Sequence, residues 1–331
     1  MGKTINLDFI IKELNSGLSP RQQKVLEQRF AFKGGEEKTL AAIGAKYGIT
    51  RERVRQIEAA ALKTLKARAA IMAKDFVSGV KDCLAETGGV MRNDLLVQKF
   101  PYPNAASKIF FILSVYGEPY FYRSDIEWHN FWYADSAVKE KAFDFIKNLE
   151  ERLGSHAEQG QAIYSDFQKD KAAASYISLS KKIGHNIYGD FGLRSRPEIN
   201  PRTIRDKSYL VLKKHREPLH FRELAEKIAK LKLNSRKVNA QTVHNELIKD
   251  ARFVLVGRGI YGLGEYGFQP GTAREAIARL MKNNGPLYSH EVVSLVKKEK
   301  ILKDNTILLN LQNKRYFRRM PDGKYSLIRE A

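Results

Sequence analysis

Four polar side chains share one side of a predicted helix near the N-terminus: Arg51, Glu52, Arg55 and Gln56. At about 100° per residue they fall within an arc of about 140°. In the major groove of DNA, arginine pairs with guanine, glutamine pairs with adenine, and glutamate accepts a hydrogen bond from cytosine. This face therefore has the chemistry of base recognition. A solvated, salt-bridged helix surface is the alternative interpretation.

The segments around this face predict a helix-turn-helix. Residues 19–22 form a capping box that begins one helix, and Thr39 begins a second, short helix that ends at Gly48. Thr50 then caps a longer third helix. The apolar side of that helix follows spacings of three and four residues through Val54, Ile57, Ala61 and Leu65. The short glycine turn places the polar face at the start of a recognition helix.

The C-terminal part of the chain repeats one unit with a period of about 60–70 residues. Aligning Pro218-Leu219 with Pro286-Leu287 sets two similar copies side by side, and residues 76–134 form a diverged third copy. Each copy has a pattern of helices followed by two short aromatic strands around a turn. In the last copy the turn is Pro321-Asp322-Gly323. This pattern is typical of a winged helix.

We therefore predict a mainly α fold class, with a helix-turn-helix domain followed by two or three winged-helix-like units that have short β-hairpin wings. Such a chain has several small cores rather than one. The predicted domains are 1–70 (helix-turn-helix), 71–135 (diverged winged-helix-like unit), 136–200 (helical linker region with a possible hairpin at 177–191), 201–268 (winged helix) and 269–331 (winged-helix-like unit).

The net charge of +21 and the pI near 9.8 are concentrated at the two ends of the chain. Residues 1–70 hold 14 basic and 7 acidic side chains, residues 71–200 hold 16 and 17, and residues 201–331 hold 28 and 13. Clustered cations release counterions from a polyanion, so double-stranded DNA is the expected partner. An acidic membrane surface is disfavoured because no strongly basic amphipathic helix stands alone.

Several classes of protein are disfavoured by what the sequence lacks. No apolar run reaches the roughly 18–20 residues of a membrane span, and no apolar signal core is found at the N-terminus. The single cysteine, Cys83, excludes a disulfide framework and a multi-thiolate zinc site, and it suits the cytoplasm. No nucleophile and base are found together. We therefore expect a cytoplasmic protein that is not an enzyme and uses no metal, cofactor, membrane or small-molecule substrate.

The N-terminal motifs extend beyond the polar face. They are Leu18-Ser19-Pro20-Arg21, Val25-Leu26, Arg29-Phe30, Thr39-Leu40, Ile43-Gly44 and residues 51–59. Together they resemble region 4 of the primary bacterial RNA polymerase sigma factors, which binds the promoter −35 element in the major groove and docks on the flap of the polymerase β subunit. The resemblance implies base contacts by Arg51, Glu52, Arg55 and Gln56. It implies phosphate contacts by Arg21, Arg29, Thr39, Thr50 and Arg53.

This sigma region 4-like part covers about a fifth of the chain. The sigma region that melts the −10 element precedes region 4 in that family, whereas residues 1–17 alone precede it here. We therefore expect a protein that modulates a complex containing a true sigma factor, rather than an autonomous sigma factor.

Residues 219–224 and 257–263 carry a second resemblance. They are similar to the HARE-type winged helix, a module of the polymerase delta subunit and of chromatin-associated and restriction proteins. This resemblance implies that residues 201–268 form a protein-interaction or nucleic-acid-binding module rather than a catalyst.

The leading hypothesis is a sequence-specific DNA-binding transcription protein that is sigma factor-like, reads a −35-like element and contacts the β flap of the RNA polymerase core. One alternative is a polymerase-associated interaction protein, delta-like or a sigma mimic, without promoter readout. Another is a nucleic-acid-processing enzyme whose site is not visible in the sequence. The complete polar face argues against the first alternative, and the lack of clustered carboxylates argues against the second.

Overall fold

The computed structural model describes residues 6–156, 159–231 and 238–328. The chain divides into two compact units, Met1–Arg194 and Ser195–Ala331. The described residues form sixteen α-helices and small antiparallel sheets, which confirms the mainly α fold class. Among the described helices, none is both long enough and apolar enough to cross a membrane.

The first unit begins with the predicted helix-turn-helix. Its helices are α1 (Leu7–Asn15), α2 (Pro20–Phe30), α3 (Leu40–Tyr47) and α4 (Arg51–Met72). The side chain of Ser19 caps α2 and Gln22 bonds back to the backbone of Ser19, as the capping box predicts. Gly48 ends α3 with a left-handed backbone at φ 63°. A Cβ on Gly44 would lie 2.6 Å from the carbonyl oxygen of Ile49, so the turn into α4 also requires glycine there.

A winged helix follows directly. It consists of α5 (Lys74–Ala85), β1 (Val90–Arg92), α6 (Asn93–Gln98), α7 (Ala105–Tyr116), β2 (Tyr120–Tyr122) and β3 (Phe131–Tyr133). The three strands form an antiparallel sheet in the order β1-β3-β2. This is the diverged copy that the sequence predicts, and its third helix, α7, is discussed below.

The remainder of the first unit also has three helices and a hairpin. These elements are α8 (Ser136–Ser155), α9 (Gly160–Ser165), α10 (Lys171–Leu179), β4 (Ile183–His185) and β5 (Phe191–Leu193). The possible hairpin is therefore present, but it begins at Ile183 rather than Ile177. Asp170 caps α10, and that helix includes Ile177.

The second unit contains two winged helices in succession. The first has α11 (Ile204–His215), β6 (Leu219–His220), α12 (Phe221–Lys230), α13 (Ala240–Ile248), β7 (Phe253–Gly257) and β8 (Ile260–Leu263). The second has α14 (Ala273–Asn284), α15 (Ser289–Glu299), α16 (Asp304–Leu311), β9 (Phe317–Arg319) and β10 (Tyr325–Leu327). Leu219 pairs with Tyr261 and Leu287 bridges to Tyr325, so the predicted alignment of the two copies is confirmed.

One hydrophobic core joins the helix-turn-helix to the winged helix that follows it. Helices α1, α2 and α4 contribute to it together with α5, α6 and α7. The ring of Phe111 lies 5.1 Å from the ring of Phe30 and 4.7 Å from that of Phe32, measured between centroids. The buried ammonium group of Lys108 in α7 pairs with Asp8 at 2.6 Å. Helix α7 is therefore an integral part of the helix-turn-helix core.

Candidate nucleic-acid interface

A small core fixes the start of α4 against α3. Val25, Ile43 and Val54 are fully buried in it, one from each of the three helices α2, α3 and α4. Thr50 caps α4 by accepting a hydrogen bond from the backbone N–H of Arg53 at 3.1 Å. Because Val54 points into this core, the side of the first two turns of α4 opposite to it is left exposed.

The structure brings the four predicted base-contacting residues together on this exposed side. Arg51, Glu52, Arg55 and Gln56 all lie on the first two turns of α4 and are exposed. Arg55 holds Glu52 with two groups: its Nε lies 2.9 Å from Oε2 and its Nη2 lies 2.7 Å from Oε1. This hydrogen-bonded pairing lowers the pKa of Glu52 and raises the pKa of Arg55. Both groups are therefore charged at neutral pH.

A second pairing links the two predicted kinds of contact. Nη1 of Arg53, predicted to contact phosphate, donates to Oε1 of Gln56, predicted to contact a base, at 3.0 Å. Arg51, by contrast, has no carboxylate partner among the described residues. In this structure the face therefore contains two internally bonded pairs and one unpaired arginine.

Three of the predicted phosphate contacts lie at helix N-termini. Arg21 is exposed in the first turn of α2. Thr39 and Thr50 are exposed and cap α3 and α4, where each hydroxyl accepts one backbone hydrogen bond at 3.1 Å. A hydroxyl can donate while it accepts, and helix N-termini favour anions. These positions are suited to phosphate.

Arg29 has a different environment. Its Nε lies 3.3 Å from Oε1 of Glu58, and its Nη1 donates to the carbonyl oxygen of Lys38 at 3.2 Å. The side chain is half-buried and links α2 to α4. Its predicted phosphate contact therefore requires one of these bonds to be exchanged, and it stays a prediction.

Sequence reasoning missed the helix that covers the other side of the helix-turn-helix. Helix α7 packs on α1, α2 and α4 through side chains that include Ile109, Phe111 and Ile112. The sequence 109–113 is apolar without interruption, and such a helix is buried on more than one side. That pattern indicated burial but did not identify the partner. The polar face of α4 lies on the first turns, outside the part of α4 that contributes to this core.

Two parts of the chain match known families. Residues 16–67 match the family described as sigma-70, region 4. Residues 202–265 match HARE-HTH, a family described as an HTH domain of ASXL and restriction endonuclease proteins. The first match runs from before α2 into α4, and the second begins just before α11 and ends just after β8. The two predicted resemblances are thus confirmed at the positions that carry them.

Similar curated proteins are RNA polymerase sigma factors, matched through the N-terminal region. SigA of Clostridium acetobutylicum is 47% identical over 57 residues, which is 17% of this chain and 15% of that protein. RpoD of Neisseria gonorrhoeae is 43% identical over 61 residues, or 18% and 10%. The chloroplastic sigF of Arabidopsis thaliana is 41% identical over 56 residues, or 17% and 10%. The chain thus spans between a tenth and a sixth of the length of these relatives.

Proposed function

We propose that this protein is a sequence-specific DNA-binding transcription protein of the bacterial cytoplasm. It reads a −35-like promoter element by placing the start of α4 in the major groove of double-stranded DNA, and it contacts the RNA polymerase core. The observation that carries the proposal is the exposed face of α4, on which arginine donors alternate with a carboxylate and an amide. It acts by binding and not by catalysis.

The internal pairings of this face suit a reader of bases. Glu52 engages Nε and Nη2 of Arg55, which leaves Nη1 without a partner among the described residues and directs the guanidinium. Guanine offers two acceptors to such a group, and the carboxylate can accept from cytosine on the same side. DNA binding exchanges the bond between Arg53 and Gln56 for bonds to a phosphate and a base. Each good bidentate base contact contributes about 1–3 kcal/mol of discrimination.

Selection of bound sequences from a pool of random duplexes tests this proposal. The full chain is expected to enrich one short motif, and Gln56→Ala should relax the preference at a single position of it. Lys63→Ala, an exposed residue further along α4, is the matched control and should leave the motif unchanged. Enrichment of no motif by the folded full chain would refute the proposal.

A second candidate function is a polymerase-associated interaction protein, delta-like or a sigma mimic, without promoter readout. The observation that favours it is that Glu52 pairs with Arg55 and Arg53 with Gln56, as on an ordinary solvated helix surface. The contact proposed for the β flap must also accommodate α7, which covers the apolar side of α2 and α4.

Co-purification with RNA polymerase core separates the two candidates. If the polar face serves DNA, a variant combining Arg55→Ala and Gln56→Ala retains the polymerase and loses the selected motif. If the face serves docking, the same variant loses the polymerase. Permanganate reactivity of promoter thymines with core polymerase and this protein alone is expected to stay at background.

A further inference from the structure

The last β-hairpin of the chain has an unusual concentration of positive charge. Residues 314–327, here called the cationic hairpin, include β9, β10 and the turn between them. Its cations are Lys314, Arg315, Arg318, Arg319 and Lys324. Asp322 is the one acidic residue in this segment. Apart from the half-buried Lys324, these cations are exposed.

These cations lack the neutralising partners that other cations of the same unit have. Arg279 pairs with Glu299, and Lys297 pairs with Asp304. None of the five cations of the hairpin lies within ion-pair distance of a carboxylate of the residues that the structure describes. Arg318 donates to the hydroxyl of Ser326 at 3.1 Å, a neutral partner. Mutual repulsion within the hairpin is therefore relieved only when an external anion binds.

Two exposed tyrosines border the hairpin and hold further cations. Tyr316 is 36% exposed, and the guanidinium of Arg274 lies 4.3 Å from its ring centroid. Tyr288 is 40% exposed, and the ammonium group of Lys324 lies 5.2 Å from its ring centroid. Cation–π contacts position a cation without neutralising its charge. The positive surface thus extends from the hairpin to Arg274.

The third helix of this winged helix lacks the same character. Helix α16 contains no lysine or arginine, and it exposes Leu309 by 69%. Its acidic residue, Asp304, already has a lysine partner. A phosphate-binding surface in this domain is therefore on the hairpin and not on the helix.

The other hairpins of the chain do not share this charge. Between β7 and β8 the sole cation is Arg258, and the β4–β5 hairpin has Asp190 and no lysine or arginine. The long turn between β2 and β3 combines Arg123 with Asp125 and Glu127. The charge is thus not a general property of the wings.

We propose that the cationic hairpin binds the phosphate backbone of duplex DNA without reading bases. The proposal rests on the function proposed above, because a base-reading helix elsewhere in the chain brings the hairpin to the same polymer. Guanidinium groups match phosphate with two parallel hydrogen bonds. No carboxylate or amide is interleaved with the arginines here, so the surface provides affinity without discrimination between base pairs.

The test measures the affinity of the full chain for a duplex without the selected motif, over a range of salt concentrations. The variant combines Arg318→Gln and Arg319→Gln. The matched control combines Lys282→Gln and Lys298→Gln, which removes two exposed cations from the same winged helix. We expect the slope of log K against log salt to fall by about two for the hairpin variant, since each phosphate contact contributes about 0.9.

The conservative variant with Arg318→Lys and Arg319→Lys should restore the slope, because backbone binding depends on charge. Equal loss in the hairpin variant and the control, or failure of the lysines to restore the slope, would overturn the proposal. So would an unchanged slope together with weakened binding to polyglutamate, which would indicate an acidic protein partner. If Arg55→Ala loses discrimination while the hairpin variant binds like the wild type, this inference fails and the proposed function stands.

Discussion

Helix α4 and the cationic hairpin are both rich in arginine, and they differ in what lies between the arginines. On α4, Glu52 and Gln56 provide acceptors beside the donors, and both are hydrogen-bonded to arginine side chains. On the hairpin, Arg318 and Arg319 are adjacent, and Arg318 donates to a neutral hydroxyl. Bases differ in their pattern of donors and acceptors, whereas phosphates are alike. The mixed surface is therefore suited to discrimination and the unmixed one to affinity.

The two surfaces also differ in how firmly they are supported. Val54 anchors the start of α4 in one core, and Ala61, Leu65 and Ala69 anchor the rest in another. The hairpin has two strands of three residues, with Phe317 as its fully buried anchor among the described residues. Base recognition requires accurate placement of hydrogen-bonding groups, whereas attraction to phosphates tolerates small displacements. The difference in support therefore matches the difference in chemistry.

The largest effect is expected from removing the first unit. Residues 195–331 form a compact unit with two cores of their own. This fragment should bind duplex DNA weakly and lose all discrimination, which is worth about 4 kcal/mol or more in specific DNA-binding proteins. Its affinity should fall steeply as salt rises. Competition between duplexes with and without the selected motif measures this, and any residual preference would contradict the assignment of readout to α4.

Phe111→Ala should destabilise the first unit by about 3–5 kcal/mol, because it removes a fully buried ring at which α7 meets α2. Denaturant unfolding of the full chain measures this change. The motif preference should be lost while salt-dependent binding to DNA without the motif persists. Phe9→Ala is the control: that ring is 58% exposed, and its loss should cost less than about 0.5 kcal/mol. A small effect of Phe111→Ala would show that α7 does not support α4.

Thr50→Ala removes the cap of α4, and about 1 kcal/mol of stability should be lost. Thr50→Ser retains the oxygen and should recover most of that stability. Thermal unfolding of both variants is the measurement. If alanine proves as stable as serine, the cap does not fix the start of the helix.

The smallest effect concerns Arg29. Because its pairing with Glu58 is partly exposed, the two should be coupled by less than about 1 kcal/mol in a double-mutant cycle of Arg29→Gln and Glu58→Gln. Unfolding of the four proteins gives this coupling. Strict additivity would contradict the link between α2 and α4. A lower salt slope in Arg29→Gln would establish the phosphate contact as well.

The helix-turn-helix could be predicted because its determinants are local. The caps at Ser19, Thr39 and Thr50 and the turn at Gly48 each involve residues within a few positions of one another. The winged helices of the second unit could be predicted because two copies support each other. The polar face of α4 followed from helical periodicity alone, and the structure exposes all four of its members.

The features that were missed depend on distant contacts. Helix α7 meets α2 across some eighty residues of sequence, through contacts such as that between Phe30 and Phe111, and no local pattern records such a pairing. The link between Arg29 and Glu58 is equally non-local. The three-helix order in residues 136–193 was obscured because α9 has only six residues, too few to show helical periodicity.

The most direct test of the account is the effect of Arg55→Ala on discrimination between single base-pair variants of the selected motif. Arg55 is chosen because Glu52 holds its guanidinium on the exposed face of α4. Arg21→Ala, an exposed arginine on α2, is the comparison variant. The full chain and both variants are titrated against each duplex at one salt concentration. We expect Arg55→Ala to lose about 1–3 kcal/mol of discrimination at one or two positions only, and Arg21→Ala to weaken all duplexes alike. A uniform loss across all duplexes in Arg55→Ala would show that this residue contacts phosphate alone, and would contradict base readout by α4.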